Sequence, residues 1–280
     1  MITRNPMQLK ALIKNMAKEK GIPAQLVMQN YLLERLLERI SLSRYRSNFI
    51  LKGGFLIASI VGLATRTTMD LDTTARGFPL TLDSVRDAFT VICQTPAEDD
   101  VVFEILDCAE IRETDDYPGI RVSLRAVYLT LTVPLKVDVT TGDRITPAEI
   151  EYKLSLLFDN RKISVLAYNL ETILAEKIET ILSRSIANTR PRDFYDVYIL
   201  SSLRKKKYRP KILKQALDET SKQRGSAAIL EHYDLIMRGI ESDAQMIRFW
   251  VKYQEEFTYA KGLEFARVCD SVREICRGLL

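Results

Sequence analysis

The sequence predicts an α+β protein, in which an α/β part with a mixed sheet is followed by a helical part. Residues 101–140 alternate apolar and polar side chains and are rich in β-branched residues, which indicates strands. From Asn169 onward nearly every segment has the apolar spacing of an amphipathic helix. A chain of 280 residues suits either one large domain or two smaller ones, and the change from strands to helices near residue 168 favours two. We therefore expect domains at 1–168 and 169–280.

The elements of the first part follow from local signals. Residues 6–20 and 23–43 read as helices, since a proline lies near each start and Gly21 separates them. "NFILK" predicts a buried strand, "GGFLIASIVGLA" a turn into a helix, "TMDLDTTA" a short extended segment and "LDSVRDAFTVIC" a helix. Strands are predicted in "VVFEILDCAEIRE", "GIRVSLRAVYLTLTV", "LKVDVTT" and "KISVLAY".

Composition excludes several kinds of site. Four scattered cysteines without a CxxC pair and a single histidine, His232, argue against a zinc site and against Ser-His-Asp or Cys-His catalysis. We expect the cysteines to be buried thiols in a reducing compartment. The longest apolar run, residues 55–64, is about half of the roughly 20 residues that a membrane span requires. We therefore expect a cytoplasmic protein with no membrane partner.

Two carboxylates one residue apart indicate a metal site. Residues i and i+2 of a strand share a face, so Asp70 and Asp72 should converge. Their repulsion would be relieved by a divalent cation, and oxygen donors without Cys or His favour Mg²⁺, with Mn²⁺ as the substitute. In "LKVDVTT", Lys136, Asp138 and Thr140 share a face in the same way. Three carboxylates from two strands suit the two-metal arrangement for phosphoryl displacement.

Glycines and a cationic helix complete the predicted phosphate-binding groups. Gly53 and Gly54 lie between a strand and a helix, where backbone N–H groups can hold a triphosphate. Lys177 falls inside the apolar stripe of "NLETILAEKIETIL". It either reaches toward phosphate or extends its amine to solvent at the edge of a core.

A second motif, "RPRDFYD", places Asp193 and Asp196 on one face of a helix, after Arg190 and Arg192. Taken alone, it is also typical of a surface charge cluster at a helix start. The stretch 184–224 holds twelve Lys and Arg against four Asp and Glu, a net charge of +8 in a chain of net charge +4. Its "RKKKYRPK" run is either a nucleic-acid contact or a solvated loop. The candidate contacts are Lys205, Lys206, Lys207 and Arg209.

These motifs, in this order, resemble those of the AbiEii toxin family of nucleotidyltransferases. The family pattern is Gly-Gly or Gly-Ser followed by DxD, then KxDxT or KxDxS, a helix with AEK, and RxKDxxD. Here it reads "KGG…DLD", "KVDVT", "LAEK" and "RPRDFYD", from about residue 49 to residue 200. Two departures are visible: Gly54 stands where many members have Ser, and Arg192 stands where the pattern has Lys.

The resemblance implies a nucleotidyltransferase-like α/β domain, with a helical domain that supplies Lys177 and the RPRDFYD motif. By the resemblance, Asp70 and Asp72 bind catalytic metals, and Asp138 completes the metal site or helps to deprotonate the acceptor hydroxyl. Lys177 and Asp193 are implied to be catalytic. The implied nucleotide-binding residues are Gly53, Gly54, Lys136, Thr140, Arg190, Arg192 and Asp196.

The implied activity is transfer of a nucleoside monophosphate from an NTP to the acceptor end of tRNA, which stops translation. The implied setting is a type IV toxin–antitoxin system that aborts phage infection and thereby gives antiviral defence. Its cognate antitoxin would act without necessarily binding the toxin. The alternatives are a protein or small-molecule acceptor, and a regulator that binds nucleotides without chemistry.

Overall fold

The computed structural model describes residues 5–111, 119–203 and 208–280. The chain divides into two compact units. The first comprises Met1–Asp143 with Glu149–Ala167, and the second comprises Arg144–Ala148 with Tyr168–Leu280.

The first unit consists of seven strands and four helices in its described residues. The strands form one mixed sheet in the order β3-β4-β5-β2-β1-β7-β6. The elements in chain order are α1 (Pro6–Lys20), α2 (Ala24–Leu42), β1 (Phe49–Lys52), α3 (Gly53–Val61), β2 (Leu71–Ala75), α4 (Leu82–Gln94), β3 (Val101–Ile111), β4 (Gly119–Tyr128), β5 (Leu131–Thr140), β6 (Ile150–Ser155) and β7 (Lys162–Ala167).

The centre of the sheet joins segments that are distant in sequence. β2 pairs with β1 in antiparallel and with β5 in parallel orientation. Apolar residues at alternate positions of β5, Leu135, Val137 and Val139, are buried, so the residues between them lie on the opposite face. This alternation fixes which side chains of β2 and β5 share a face.

Helix α2 is buried along most of its length. Its residues from Gln29 to Ile40 are all buried, and they include the charged side chains Glu34, Arg35, Glu38 and Arg39. Two ion pairs neutralise part of this buried charge. Arg35 Nη1 lies 2.9 Å from Glu38 Oε2, and Arg39 Nη2 lies 2.7 Å from Asp99 Oδ1. A buried charge requires such partners, so α2 is held in one orientation by polar as well as apolar contacts.

The second unit is helical in its described residues. Phe194, Trp250 and Phe265 are buried in its core, with ring centroids 5.5 Å apart for Phe194–Phe265 and 5.8 Å apart for Trp250–Phe265. Its α-helices are α5 (Leu170–Arg184), α6 (Pro191–Leu203), α7 (Pro210–Gln223), α8 (Tyr233–Ser242), α9 (Ala244–Glu256) and α10 (Phe265–Leu279). Short 3-10 turns lie at Ser185–Ala187, Ala227–His232 and Thr258–Ala260.

The predicted α+β class is confirmed, with a mixed sheet and ten α-helices in the described residues. Strand β6 was not predicted, because it is an edge strand that buries only Leu154 and so has little apolar alternation. Cys108, Cys269 and Cys276 are buried, and burial raises the pKa of the Cys269 and Cys276 thiols to about 12. In the described part of the chain, no helix is both long and apolar enough to cross a bilayer.

Candidate active site

The glycine pair forms a tight turn against a carboxylate. Gly53 follows β1 with φ of 67°, in the left-handed region that favours glycine. A Cβ atom at Gly53 would overlap the Asp72 carboxylate. The backbone N–H of Gly54 points at the same group, 3.4 Å from Asp72 Oδ2. The turn therefore exists in this form only because residue 53 has no side chain, and Asp72 occupies the space that results.

Asp72 and Asp138 are neighbours on adjacent strands. They are register partners in the parallel pair β2–β5, so both side chains lie on the same face, with backbones about 4.8 Å apart. Asp138 is buried and Asp72 is half-buried. The two carboxylates predicted from separate motifs are thus brought together by the sheet.

Asp70 differs from the prediction in one respect. Strand β2 begins at Leu71, so Asp70 lies just before the strand rather than within it, and the i, i+2 alternation does not place it. Asp70 nevertheless interacts electrostatically with the other two acids. Partial burial, and then the charges of Asp72 and Asp138, raise the pKa of the Asp70 carboxyl. The three carboxylates therefore form one electrostatic cluster.

Arg121 is the residue of this cluster that the sequence interpretation missed. It lies on β4 as the register partner of Asp138. Its Nε donates to Asp138 Oδ1 at 2.7 Å and its Nη2 donates to Asp138 Oδ2 at 2.8 Å, a bidentate pair. These bonds raise the pKa of the guanidinium. The polar alternation of "GIRVSLR" placed Arg121 on one face of a strand, but only the register shows which acid it meets.

The three acids fit a divalent cation in kind, because all their donors are hard oxygens. Among the described residues, however, no set of three or more Asp, Glu, His or Cys side chains is assembled as a ready-made ion site. The Arg121 fork binds both oxygens of Asp138. Two of the three carboxylates, Asp72 and Asp138, are thus in register, and Asp138 forms an ion pair with Arg121.

The other predicted nucleotide contacts on the sheet have different surroundings. Lys136 is exposed on β5, two residues before Asp138. Thr140 is buried at 3% exposure, and its hydroxyl lies 3.2 Å from Asp143 Oδ2. Asp143 also accepts from Thr74 and pairs with Lys52. The Thr140 hydroxyl therefore has a partner within the protein, and its contact with a nucleotide, which the resemblance implies, stays a prediction.

The Gly54 departure from the family pattern has a steric reason. A Cβ at Gly54 would lie 2.8 Å from Thr68 Oγ1 and 3.2 Å from Arg66 Nη2. Serine would not fit without movement of these side chains. A hydroxyl is present at this turn nonetheless, because Thr68 supplies one from the segment ahead of Asp70.

The second unit holds its own charged cluster. Lys177 Nζ, on α5, lies 2.5 Å from Asp193 Oδ1 and 3.1 Å from Asp196 Oδ2, both on α6. The side chain of Asp196 is fully buried, that of Asp193 is 5% exposed and that of Lys177 is 20% exposed. Lys177 thus pairs with two acids and is not a lone cation at the edge of a core, and the two acids are not a surface pair. Asp193 Oδ2 is buried without a hydrogen-bond partner.

The remaining predicted residues lie at the periphery of the second unit or outside the described residues. Arg190 and Arg192 are exposed around the start of α6. Arg209 precedes α7, and both its backbone N–H and its Nε donate to Glu171 Oε1, at 2.9 Å and 3.1 Å. Lys205, Lys206 and Lys207 lie outside the described residues. Arg209 therefore has a structural partner that the sequence did not reveal.

A comparison with protein families decides the assignment. Residues 35–272 match the family described as "Nucleotidyl transferase AbiEii toxin, Type IV TA system". The chain belongs to the AbiEii family. This AbiEii protein is accordingly a nucleotidyltransferase of a type IV toxin–antitoxin system, with an NTP as substrate and an antitoxin as counterpart. The regulator without chemistry is thereby excluded.

A solved structure is similar to this AbiEii protein in fold. A crystal structure described as that of a nucleotidyltransferase candidate from H. pylori has a TM-score of 0.50 at 13% identity, covering 92% of this chain and 97% of that one. JHP933 from Helicobacter pylori has a TM-score of 0.48 at 14% identity, covering 91% and 93%. At such identity the first likeness concerns the fold alone. No curated protein sequence matches the chain.

Proposed function

We propose that this AbiEii protein transfers a nucleoside monophosphate from an NTP to the 3′ hydroxyl of tRNA in a metal-dependent reaction in the cytoplasm. The product could not be aminoacylated, so translation would stop and phage infection would abort. A cognate antitoxin would restrain the activity without necessarily binding the toxin. The observation that carries the proposal is the register of Asp72 with Asp138, beside Asp70 and against the glycine turn.

Asp70, Asp72 and Asp138 would hold Mg²⁺, or Mn²⁺ in its place. When bound, the metal would neutralise the phosphates and the leaving group and lower the pKa of the attacking hydroxyl. The protein supplies the geometry, because two of the three carboxylates are fixed on paired strands and the third lies one residue ahead of the strand. Fixed donors need little reorganisation during the reaction.

The side chains around these acids would bind the triphosphate. Lys136 is exposed on the strand that carries Asp138, and it can approach phosphate without leaving an ion pair that the structure describes. The Gly54 N–H and the Thr68 hydroxyl lie at the glycine turn, where a ligand can come close to the backbone. Once its fork is released from Asp138, Arg121 can neutralise phosphate in the same region.

We also propose that Lys177, Asp193 and Asp196 serve this reaction. Their motif belongs to the family pattern, and the cluster carries one cation against two acids. The buried oxygen atom Asp193 Oδ2 has no hydrogen-bond partner, which leaves an acceptor for a hydroxyl or amine donor. Arg190 and Arg192, exposed near the start of α6, would add positive charge for the nucleotide or the acceptor.

The choice of a tRNA acceptor is supported by charge. The stretch 184–224 has a net charge of +8, which favours a polyanion over a neutral small molecule. Binding through such charge releases counterions and therefore weakens steeply as salt increases. A protein acceptor has no comparable reason to require this charge.

The test is a labelling assay with purified protein, each labelled NTP in turn, total RNA and Mg²⁺. We expect label in the tRNA band, and loss of label when the tRNA 3′ end is oxidised with periodate. Asp70→Asn and Asp138→Asn should reduce transfer by about 10³-fold, because they remove several kcal/mol of charge stabilisation. The same variants should relieve growth arrest on expression.

The matched control is Asp107→Asn, which removes an exposed acid of the same sheet and should retain activity. Circular dichroism and thermal melts would establish that all three variants are folded. If the labelled product resists RNase but is degraded by protease, the acceptor is a protein and not tRNA. Full transfer by both Asp70→Asn and Asp138→Asn would refute the mechanism.

A further inference from the structure

Two buried amides of α2 contact the segment immediately ahead of Asp70. Gln29 Nε2 donates to the carbonyl of Met69 at 2.8 Å, and Asn30 Nδ2 donates to the carbonyl of Thr68 at 2.8 Å. These are consecutive carbonyls at the two positions before the carboxylate. The contacts join residues about forty positions apart in sequence, so neither arises from local structure.

The segment 66–70 needs side-chain support because it is neither helix nor strand. Backbone groups outside regular structure must find other partners when they are buried. Gln29 and Asn30 are 7% and 4% exposed, so their bonds are sheltered from water. Asn30 Nδ2 also donates to Leu26 O of its own helix at 2.9 Å, which fixes the amide against α2.

The same segment is confined on a second side by the glycine turn. Thr68 Oγ1 and Arg66 Nη2 lie so close to Gly54 that a Cβ there would clash with the hydroxyl. Arg66 is 3% exposed and donates to Thr67 O within the segment. The backbone leading to Asp70 is therefore held between α2 and the turn that receives Asp72.

We propose that Gln29 and Asn30 are positioning residues for Asp70, which makes α2 part of the catalytic apparatus. Both residues lie before residue 35, where the match to the family begins, and no motif marks them. Asp72 and Asp138 are fixed by strand pairing, whereas Asp70 lies outside the strand, and the two bonds from α2 hold the backbone immediately before it. The inference rests on the proposed role of Asp70 as a metal ligand.

The experiment measures Mn²⁺ binding to the protein alone, by calorimetry or by the electron paramagnetic resonance of free Mn²⁺. Asn30→Leu and Gln29→Met keep side-chain size and remove the donors. We expect each to weaken Mn²⁺ binding about tenfold, and the double variant up to about 100-fold, as for other groups that orient metal ligands. In the transfer assay, kcat should fall while KM for the NTP stays within about threefold.

Hydrogen exchange provides a readout that needs no metal. Amides of residues 66–70 should exchange faster in both variants, with no change in β2 or β5. Gln25→Met, one turn earlier on α2 and exposed, is the matched control and should change neither readout. Leu33→Ala removes a fully buried side chain of α2, so it should lower stability but leave Mn²⁺ affinity of the folded protein unchanged.

The possible outcomes separate this inference from the proposed function. Unchanged Mn²⁺ affinity in folded Gln29→Met and Asn30→Leu, when Asp70→Asn abolishes binding, would overturn the positioning role alone. Mn²⁺ binding that is unaffected by Asp70→Asn would instead refute the metal site on which both rest. If Asn30→Leu does not fold, Gln29→Met decides by itself, because Gln29 is the less buried of the two.

Discussion

The two charged clusters of the molecule use similar residues in opposite ways. In the first unit, acids on neighbouring strands share a partly open face, and Arg121 reaches one of them from β4. In the second unit, Lys177 pairs with two almost fully buried acids on α6. Asp70 and Lys136 remain exposed beside the first cluster, whereas Asp196 of the second has no exposed surface.

The difference indicates that the second cluster contributes to folding stability in addition to its proposed part in the reaction. In an open cluster of carboxylates, the like charges repel one another, and a bound metal ion would relieve this repulsion. In a buried ion pair, each charge is neutralised by its partner. Removal of one partner leaves a buried charge that is not compensated, which is strongly destabilising. We therefore expect changes in the first cluster to act on ligand affinity, and changes in the second to act first on folding.

The largest expected effect is the loss of folding stability when the second cluster is broken. Lys177→Met would remove the cation that pairs with Asp193 and Asp196, so the free energy of unfolding should fall by about 3–5 kcal/mol. Urea denaturation followed by circular dichroism measures this loss. Adding Asp196→Asn to Lys177→Met should restore part of it, because fewer buried charges remain.

The control for this prediction is Lys214→Met, which breaks an exposed pair with Asp218 at 3.5 Å and should cost less than about 1 kcal/mol. Equal losses for Lys177→Met and Lys214→Met would contradict the comparison. A stable Lys177→Met/Asp196→Asn protein that still lacks transfer activity would assign Lys177 a catalytic role in addition to its structural one.

A smaller effect is expected from the cation of the first cluster. Arg121→Gln releases Asp138 from the guanidinium, so Mn²⁺ affinity should rise about tenfold, since a hydrogen bond to a charged group contributes about 1.5–3 kcal/mol. Calorimetric titration with Mn²⁺ measures the change. Arg121→Lys keeps the charge without the fork and should give an intermediate affinity.

Arg125→Gln is the matched control, because Arg125 lies on the same strand and pairs with Glu104 through the same two nitrogens, Nε and Nη2, with its Nε 2.7 Å from Glu104 Oε2. It should leave Mn²⁺ affinity unchanged. Weaker Mn²⁺ binding by Arg121→Gln would mean that the arginine supports the metal site and does not compete with the ion.

The last expected effect depends on pH and concerns a buried acid with little cationic support. Burial raises the pKa of Glu34 to about 8, and Arg35 Nη2 lies 3.9 Å away, too far for a hydrogen bond. Between about pH 4.5 and 8 the folded protein keeps a proton that the unfolded chain loses. Stability should therefore fall as pH rises through this window, by at most about 1.4 kcal/mol per pH unit.

Urea denaturation between pH 5.5 and 8 checks this slope. Glu34→Gln should flatten it, because glutamine is neutral throughout and can still accept from the Leu157 N–H, which bonds Glu34 Oε2 at 3.0 Å. Glu19→Gln, on the exposed face of α1, should leave the slope unchanged. An identical slope in wild type and Glu34→Gln would show that Glu34 is ionised in the folded protein.

Much of the fold was predictable because it depends on local patterns. The helix predicted at 23–43 spans Ala24–Leu42, and the alternation of "LKVDVTT" placed Leu135 and Val137 in the core. The sequence also predicted that Asp72 and Asp138 share one site, because the strands that carry them can be identified from local patterns.

The rest depends on register and on contacts between distant segments. Arg121 reaches Asp138 because β4 pairs with β5 in one register, and no local signal specifies that alignment. Asn30 and Gln29 belong to a helix that carries no motif, and their partners lie about forty residues away. The Thr140 hydroxyl contacts Asp143, which lies in the loop after β5, and the alternation of strand residues does not predict the path of that loop.

The Gly53 turn has an evolutionary consequence. Because the Asp72 carboxylate fills the volume where a side chain at position 53 would stand, these two positions can change only together. A lineage that acquires alanine at position 53 would have to move this acid, and with it the proposed metal site. A relative that carries any larger residue there is therefore a candidate for a protein that has kept this architecture but lost its toxicity.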